Sequence, residues 1–448
     1  MDTAAAQAAI RFGYGPGPND TPSSDPRAAL KAQLQGPDPG LAAGQFAALP
    51  TGQACIDIMH ADGLAHKALL AQGISTPGSF KSQALALYRQ DAAAQLNFAA
   101  TTQAAFRERL VWFWANHFSA SVSQNETGPL VGAMIREAIR PNVTGSFATL
   151  VQAVERHPGM LRYLDNDVSV GPNSDAGQRL HRGLNENLGR ECMELHTVGL
   201  KAGYTQTDVT NMAKILTGWS DAPSAQGSDS TGFLYRPHAH EPGPQTVLGQ
   251  SFDGGEQAGI DALNYLATYP TTYDLLARKL VTHFVSDTPP RHAVTQIAGV
   301  LHDTQGDLGA ASAALVDLPA AWVPAAKLKT PFDYVISTLR AAPPPPSPKP
   351  PDGIAILGGL GQPVWNAPLP NGWPDQAAVW SESDATLMRI DWAFTYAARF
   401  ADGPDPLDIA HAAMGPLLRP ATVRAMSQAG SRREALTLFL ASPEFQRR

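Results

Sequence analysis

The chain has 448 residues, 44% of them apolar, and 33 basic against 40 acidic residues give a formal net charge of −7. That is enough apolar material for a sizeable core. With no Lys/Arg block or basic stripe, it argues against a nucleic-acid partner. No apolar run reaches the roughly 18 residues of a spanning helix, so no membrane span is expected. Two cysteines, Cys55 and Cys192, exclude a disulfide framework and are expected as buried free thiols. The N-terminus, MDTAAAQAAIRFGYG, has no basic segment followed by an apolar one, so it is not a signal peptide as it stands.

Helical periodicity dominates, and Gly and Pro cluster between the periodic segments as punctuation. The expected fold is therefore all-α, in one domain over 1–448, with long loops and room for one small β-hairpin. Residues 2–11 read as a short helix. Asp25-Pro26 caps and opens a second helix over Arg27–Leu34. A loop follows to about residue 51. Ser79–Thr102 is an amphipathic helix with Phe80, Leu85, Leu87, Tyr88 and Leu96, and Thr102 or Gln103 starts the next. Helices over Leu130–Arg140 and Ser146–His157 end at Pro141 and Pro158. Asp165–Gly183 is a polar loop leading to Asn185. Residues 220–252 form a lid-like irregular insertion with a strand at Thr231–Tyr235. Helices resume at Glu256–Ala267, Thr272–Val285, Arg291–Thr304, Leu308–Leu318 and Thr330–Ala341. Pro343–Pro351 is a polyproline segment crossing the surface. Four further helices cover Ser383–Phe400, Leu407–Met414, Pro420–Gln428 and Ser431–Ala441, after a short one at Gly353–Leu360.

The densest chemistry lies at Asn185–His196, where three glutamates, an arginine, a histidine and a cysteine fall within twelve residues. With Asn185 as N-cap and about 100° per residue, Leu188, Cys192 and Leu195 share the core face. Asn187, Glu191 and Glu194 share another, and Glu186 and Arg190 pair at i,i+4. Glu191 and Glu194, about 5–6 Å apart at Cβ, repel each other. Burial would raise one pKa and make an acid/base pair; the competing reading has Arg190, Arg107 or Arg109 neutralising both. On a regular helix His196 lies about 160° from Glu194, which argues against a Glu-Leu-His metal motif. A metal site would instead need His117, His196, His238 and His240 with the glutamates.

On the segment RERLVWFWANHF, His117 shares a face with Phe106, Leu110 and Phe113, while Arg109, Trp112 and Asn116 form the neighbouring strip. Aromatic plane, amide and guanidinium side by side suit a sugar. Trp219 adds aromatic surface, and His240 lies in the lid-like segment. Thr205 and Asp208 spell a helix capping box. No nucleophile elbow, phosphate loop, dinucleotide fingerprint or zincin motif is present.

These motifs resemble the family called "domain of unknown function 1800". The resemblance runs through NENLGRECMELHTVG, GYTQTDV and LTGW at 185–219, RERLVWFWANHF at 107–118, HEPGPQTVLG at 240–249 and HFVSDTPP at 283–290. It continues through KTPFDYV at 329–335, NGWP at 371–374 and ASPEF at 441–445, nearly the whole chain. It implies a bacterial protein, periplasmic or secreted, often encoded beside a second exported protein that is a candidate partner. The family brings no shared activity.

The residues point first to a hydrolase or lyase acting on a carbohydrate polymer. Glu191, Glu194 and His117 would be catalytic, and Arg109, Trp112, Asn116, Asn187, Arg190, Trp219 and His240 would bind the glycan. The sequence requires no cofactor. The alternatives are a metal-dependent enzyme with His/Glu ligands and a non-catalytic scaffold working with a partner protein.

Overall fold

A computed structural model describes the chain apart from residues 18–19, 75–78, 124–126, 181–182 and 325–326. It is mostly helical, 61% helix and 4% strand, with two small two-stranded antiparallel sheets. One contiguous cluster of buried apolar side chains runs from Ala8 to Phe445.

Local chemistry sets most boundaries. Asp2, Asp25, Thr51, Ser146, Thr205, Thr330 and Ser431 each accept a backbone N–H of the first turn that follows them, satisfying donors the helix itself cannot. The helices after residue 255 begin and end within a few residues of their expected bounds. Gly52–Ala71, capped by Thr51, is a 20-residue helix that the sequence reading leaves unassigned. Pro158 ends one helix and opens another, Pro158–Tyr163, because proline suits the first helical position. In Ser79–Thr101 the inward face carries Tyr88 and Leu96, but Leu85 is exposed. Pro343–Pro351 carries neither helix nor strand.

Both sheets lie within 219–252. Trp219–Asp221 pairs with Phe233–Tyr235, the expected strand. Gln245–Val247 pairs with Gln250–Phe252 through a tight turn at Leu248-Gly249. Leu248 adopts φ 48°, unusual for a branched side chain. It is held by its N–H to Asp208 Oδ1 (2.8 Å) and its carbonyl to the Tyr265 hydroxyl (3.0 Å). The capping box Thr205–Asp208 forms as expected, and Asp208 thus serves a helix and a hairpin together. Trp219–Ala222 and Ala239–Glu241 are buried, so this segment is anchored to the body at both places.

The Asn185 motif forms a helix at Asn187–Glu191, entered through Asn185 Oδ1, which accepts the Asn187 N–H (2.9 Å). From Cys192 to His196 it continues as a π-helix. The Asn187–Glu191 helix lies against Gln206–Leu216 at Gly189, where a Cβ would stand 2.7 Å from the Ala213 amide nitrogen. Gly189→Ala is expected to lose about 1–3 kcal/mol of stability through overpacking. Urea unfolding of the purified variant checks this; an unchanged midpoint would contradict the close helix contact.

Candidate functional site

The π-helix ends in carbonyls that have no helical partner, and they are met by the segment that follows it and by two distant helices. Thr197 Oγ1 donates to the Cys192 carbonyl (2.6 Å), and the Gly199 N–H to that of Met193 (2.9 Å). Lys279 Nζ donates to the Leu195 carbonyl (3.2 Å), and His117 Nε2 to that of His196 (3.1 Å). The negative end of the helix is thereby closed by a cation and an imidazole, as its dipole favours.

Lys279 and His117 also meet each other. Lys279 Nζ lies 2.9 Å from His117 Nδ1. Since Nε2–H is spent on the His196 carbonyl, Nδ1 is the acceptor and the ring is neutral. Burial, then the Lys279 charge, then His196, hold the His117 pKa well below its usual 6.5. Lys279 is partly exposed along a cleft wall, yet its surroundings are dense enough that burial pulls its pKa from 10.5 to about 8, against a raising pull from Asp375. Among the described residues no carboxylate lies within ion-pair distance of its ammonium.

On the other side of the π-helix, His196 Nδ1 donates to Glu155 Oε1 at 2.6 Å, with both residues buried. Glu155 comes from the end of the Phe147–Glu155 helix and Lys279 from Pro270–Phe284. Sequence reasoning missed both. Their signal was a charge next to the apolar stripe of its helix, Glu155 beside Val154 and Lys279 beside Leu280, in each case masked by an adjoining arginine.

The Lys279–His117 pair opens on a cleft of about 840 Å³. Its walls include Arg278, Trp373 and Trp380 on one hand and Glu382 and Asp384 on the other. Behind it lies a cavity of about 90 Å³ walled by Trp112, Phe113, Phe332 and Trp365. Asn116 separates the two spaces: its Nδ2 donates to the Trp373 carbonyl (2.8 Å) and its Oδ1 accepts the Trp373 N–H (2.7 Å). Both spaces include Asn116 and Trp373 in their walls.

Arg109 is buried and committed to Asp333 (2.8 Å), the Gly13 carbonyl and the face of Tyr14, 4.2 Å from its ring centroid. Trp112 donates to Glu108 and lines the inner cavity. Arg190 pairs with Glu186 (2.9 Å), as expected at i,i+4; it makes no ion pair with Glu191 or Glu194 and acts on Glu191 only through its charge. Asn187 is exposed. Glu194 accepts from the Tyr204 hydroxyl (3.3 Å). Glu191 is half-buried, and its carboxyl pKa is raised, first by burial and then, against His196, by Glu194. Neither glutamate is in the wall of the cleft or of the inner cavity.

Two expectations need correction. Trp219 is not a stacking surface: it is fully buried, edge-on to Phe233, with its ring against Gly259, where a side chain would collide. His240 has no nitrogen free for a glycan or metal. Its Nδ1–H donates to the Thr217 carbonyl (2.9 Å) and its Nε2 accepts the Gly255 N–H (2.8 Å). Among the described residues no three His, Cys, Asp or Glu side chains converge as a metal ion requires. Cys55 and Cys192 are buried free thiols, and burial pushes both thiol pKa values up.

The state of His117 has a pH signature. Its folded pKa lies below that of the unfolded chain, so acid protonates the unfolded chain first. Its contribution to stability is complete above 6.5 and is lost as pH falls below that value. Thermal denaturation followed from about pH 7 to 5 should show this loss, and His117→Gln should flatten the profile. Equal slopes in the two proteins would refute the neutral buried imidazole.

A family model described as protein of unknown function (DUF1800) matches residues 7–447. No curated protein and no solved structure matches the chain. With the match spanning nearly its whole length, the chain belongs to the DUF1800 family.

Proposed function

We propose that the protein is a lyase or hydrolase of a carbohydrate polymer, with the polymer seated in the cleft beside Lys279. The observation that carries this reading is the partner set of Lys279: an amine without an ion-pair partner among the described residues, hydrogen-bonded to a neutral imidazole, at the wall of an open cleft. A group whose pKa lies at about 8 exchanges protons readily near neutral pH. His117 Nδ1 lies against it as a proton acceptor. Trp373, half-exposed in the cleft wall, supplies an aromatic face on which a sugar ring can stack, and the buried Trp380 backs it with ring centroids 6.0 Å apart. The cleft volume falls within the roughly 300–1,000 Å³ of ligand sites.

A second reading keeps Glu191 and Glu194 as the acid/base pair. The raised Glu191 carboxyl, with no hydrogen-bond partner among the described residues, favours it. The two readings separate in one experiment: binding and product release on a panel of polysaccharides for the wild type, Lys279→Met and Glu191→Gln. Lys279→Met should retain binding and lose about 10²–10⁴-fold in turnover. Full turnover by Lys279→Met with loss in Glu191→Gln would transfer the chemistry to the glutamates. Full turnover in both would sink the acid/base proposal.

A further inference from the structure

We propose that Lys279 is a nucleophile that condenses with an aldehyde or ketone carbonyl entering the cleft, forming an imine. The carbonyl would come from the open-chain end of a saccharide or from a smaller carbonyl compound. The inference rests on the cleft being the place where ligands enter, as in the proposed function, but not on Lys279 acting as a base.

Geometry carries the argument. A primary amine has two hydrogens and one lone pair. Here two acceptors are in place for the hydrogens, His117 Nδ1 at 2.9 Å and the Leu195 carbonyl at 3.2 Å. The lone pair is left for the remaining direction, and Lys279 lines the cleft. Lysines used for imine chemistry are ones whose charge is suppressed by desolvation or by neighbours rather than held by an ion pair. The groups around Lys279 fit that requirement. His117 is neutral and comes from the helix packed against it. Arg278 is its chain neighbour and shares the cleft. Asp375 acts on Lys279 through its charge, but its carboxylate is engaged by His283 (2.8 Å). Glu382 and Asp384 stand on the cleft wall without an ion pair to Lys279.

The step balances without an added oxidant or reductant. The amine nitrogen attacks the carbonyl carbon and a C–N bond forms. The carbonyl oxygen takes up the two hydrogens that the nitrogen gives up and leaves as water. His117 Nδ1 accepts one of these protons in passing and returns it to the departing hydroxyl.

The test treats the full-length protein with glycolaldehyde, and separately with a reducing oligosaccharide, in the presence of cyanoborohydride. The hydride reduces any imine to a stable secondary amine, which peptide mass mapping locates. Lys279 should be labelled about tenfold faster than the exposed Lys67 and Lys201. Its labelling should rise through a pH of about 8. His117→Gln should slow labelling at Lys279 and leave Lys67 and Lys201 unchanged. Labelling by the oligosaccharide as well as by glycolaldehyde assigns the saccharide end; labelling by glycolaldehyde alone assigns a smaller carbonyl compound. Labelling at Lys279 no faster than at Lys201 with either probe overturns the inference. Polysaccharide binding, measured in parallel, keeps the two ideas apart: labelling without binding leaves the imine and removes the polymer, and binding without labelling does the reverse.

Discussion

The Glu155–His196 hydrogen bond, 2.6 Å long between two buried side chains, is the constraint on which the site depends. It ties the end of one helix to the last residue of a π-helix. Removing either partner would strand a polar group in the core, which costs more than the bond itself is worth. With the His196 ring held, its carbonyl faces His117, and that of Leu195 faces Lys279. The neutral tautomer of His117 and the free direction of the Lys279 amine both follow from this placement. An i→i+5 turn of the kind found at functional sites is thus what turns a helix end into a receptor for an amine and an imidazole.

A second set of buried pairs fixes the Ala105–His117 helix and its neighbours. Arg140 is bound to Glu108 through two nitrogens (2.5 and 2.9 Å), and Arg136 to Asp91 (2.8 Å). Arg109 is bound to Asp333. Such pairs contribute little net stability, because desolvation offsets attraction. They do fix position, since a buried charge cannot leave its partner. Arg109 and Glu108 are thereby spent on the scaffold. Trp112 and Asn116 are oriented by Glu108 and by the Trp373 backbone, and only Asn116 of this strip reaches the outer cleft.

Much of the fold was legible because helix ends are local events. A capping carboxylate or hydroxyl, a proline at the first position and an apolar period act within one or two turns, and the helices from Glu256 onward obey them. The Glu186–Arg190 pair and the Thr205–Asp208 box were legible for the same reason. The helical wheel held through Cys192, buried as expected, and failed beyond it: Met193 and His196 are buried while Leu195 is only half-buried, because the π-helix abandons the 3.6-residue period on which a wheel rests. Trp219 was misread as surface because aromatic side chains at an element's end carry no mark of which neighbour will cover them. Its cover is the helix at Gly259, forty residues further on.

By itself the sequence determined the mostly helical class, the family and the two segments, Arg107–Phe118 and Asn185–Trp219, that meet through His117 and His196. Residue type and short-range spacing carry that information. Only the tertiary structure decided which residues join them. Glu155, Lys279 and Trp380 come from three helices and Trp373 from the loop before the last of them, scattered over more than two hundred residues. What brings them together is the free hydrogen-bonding capacity of one helix end and the packing around it. Such long-range pairing leaves no periodic trace in the chain.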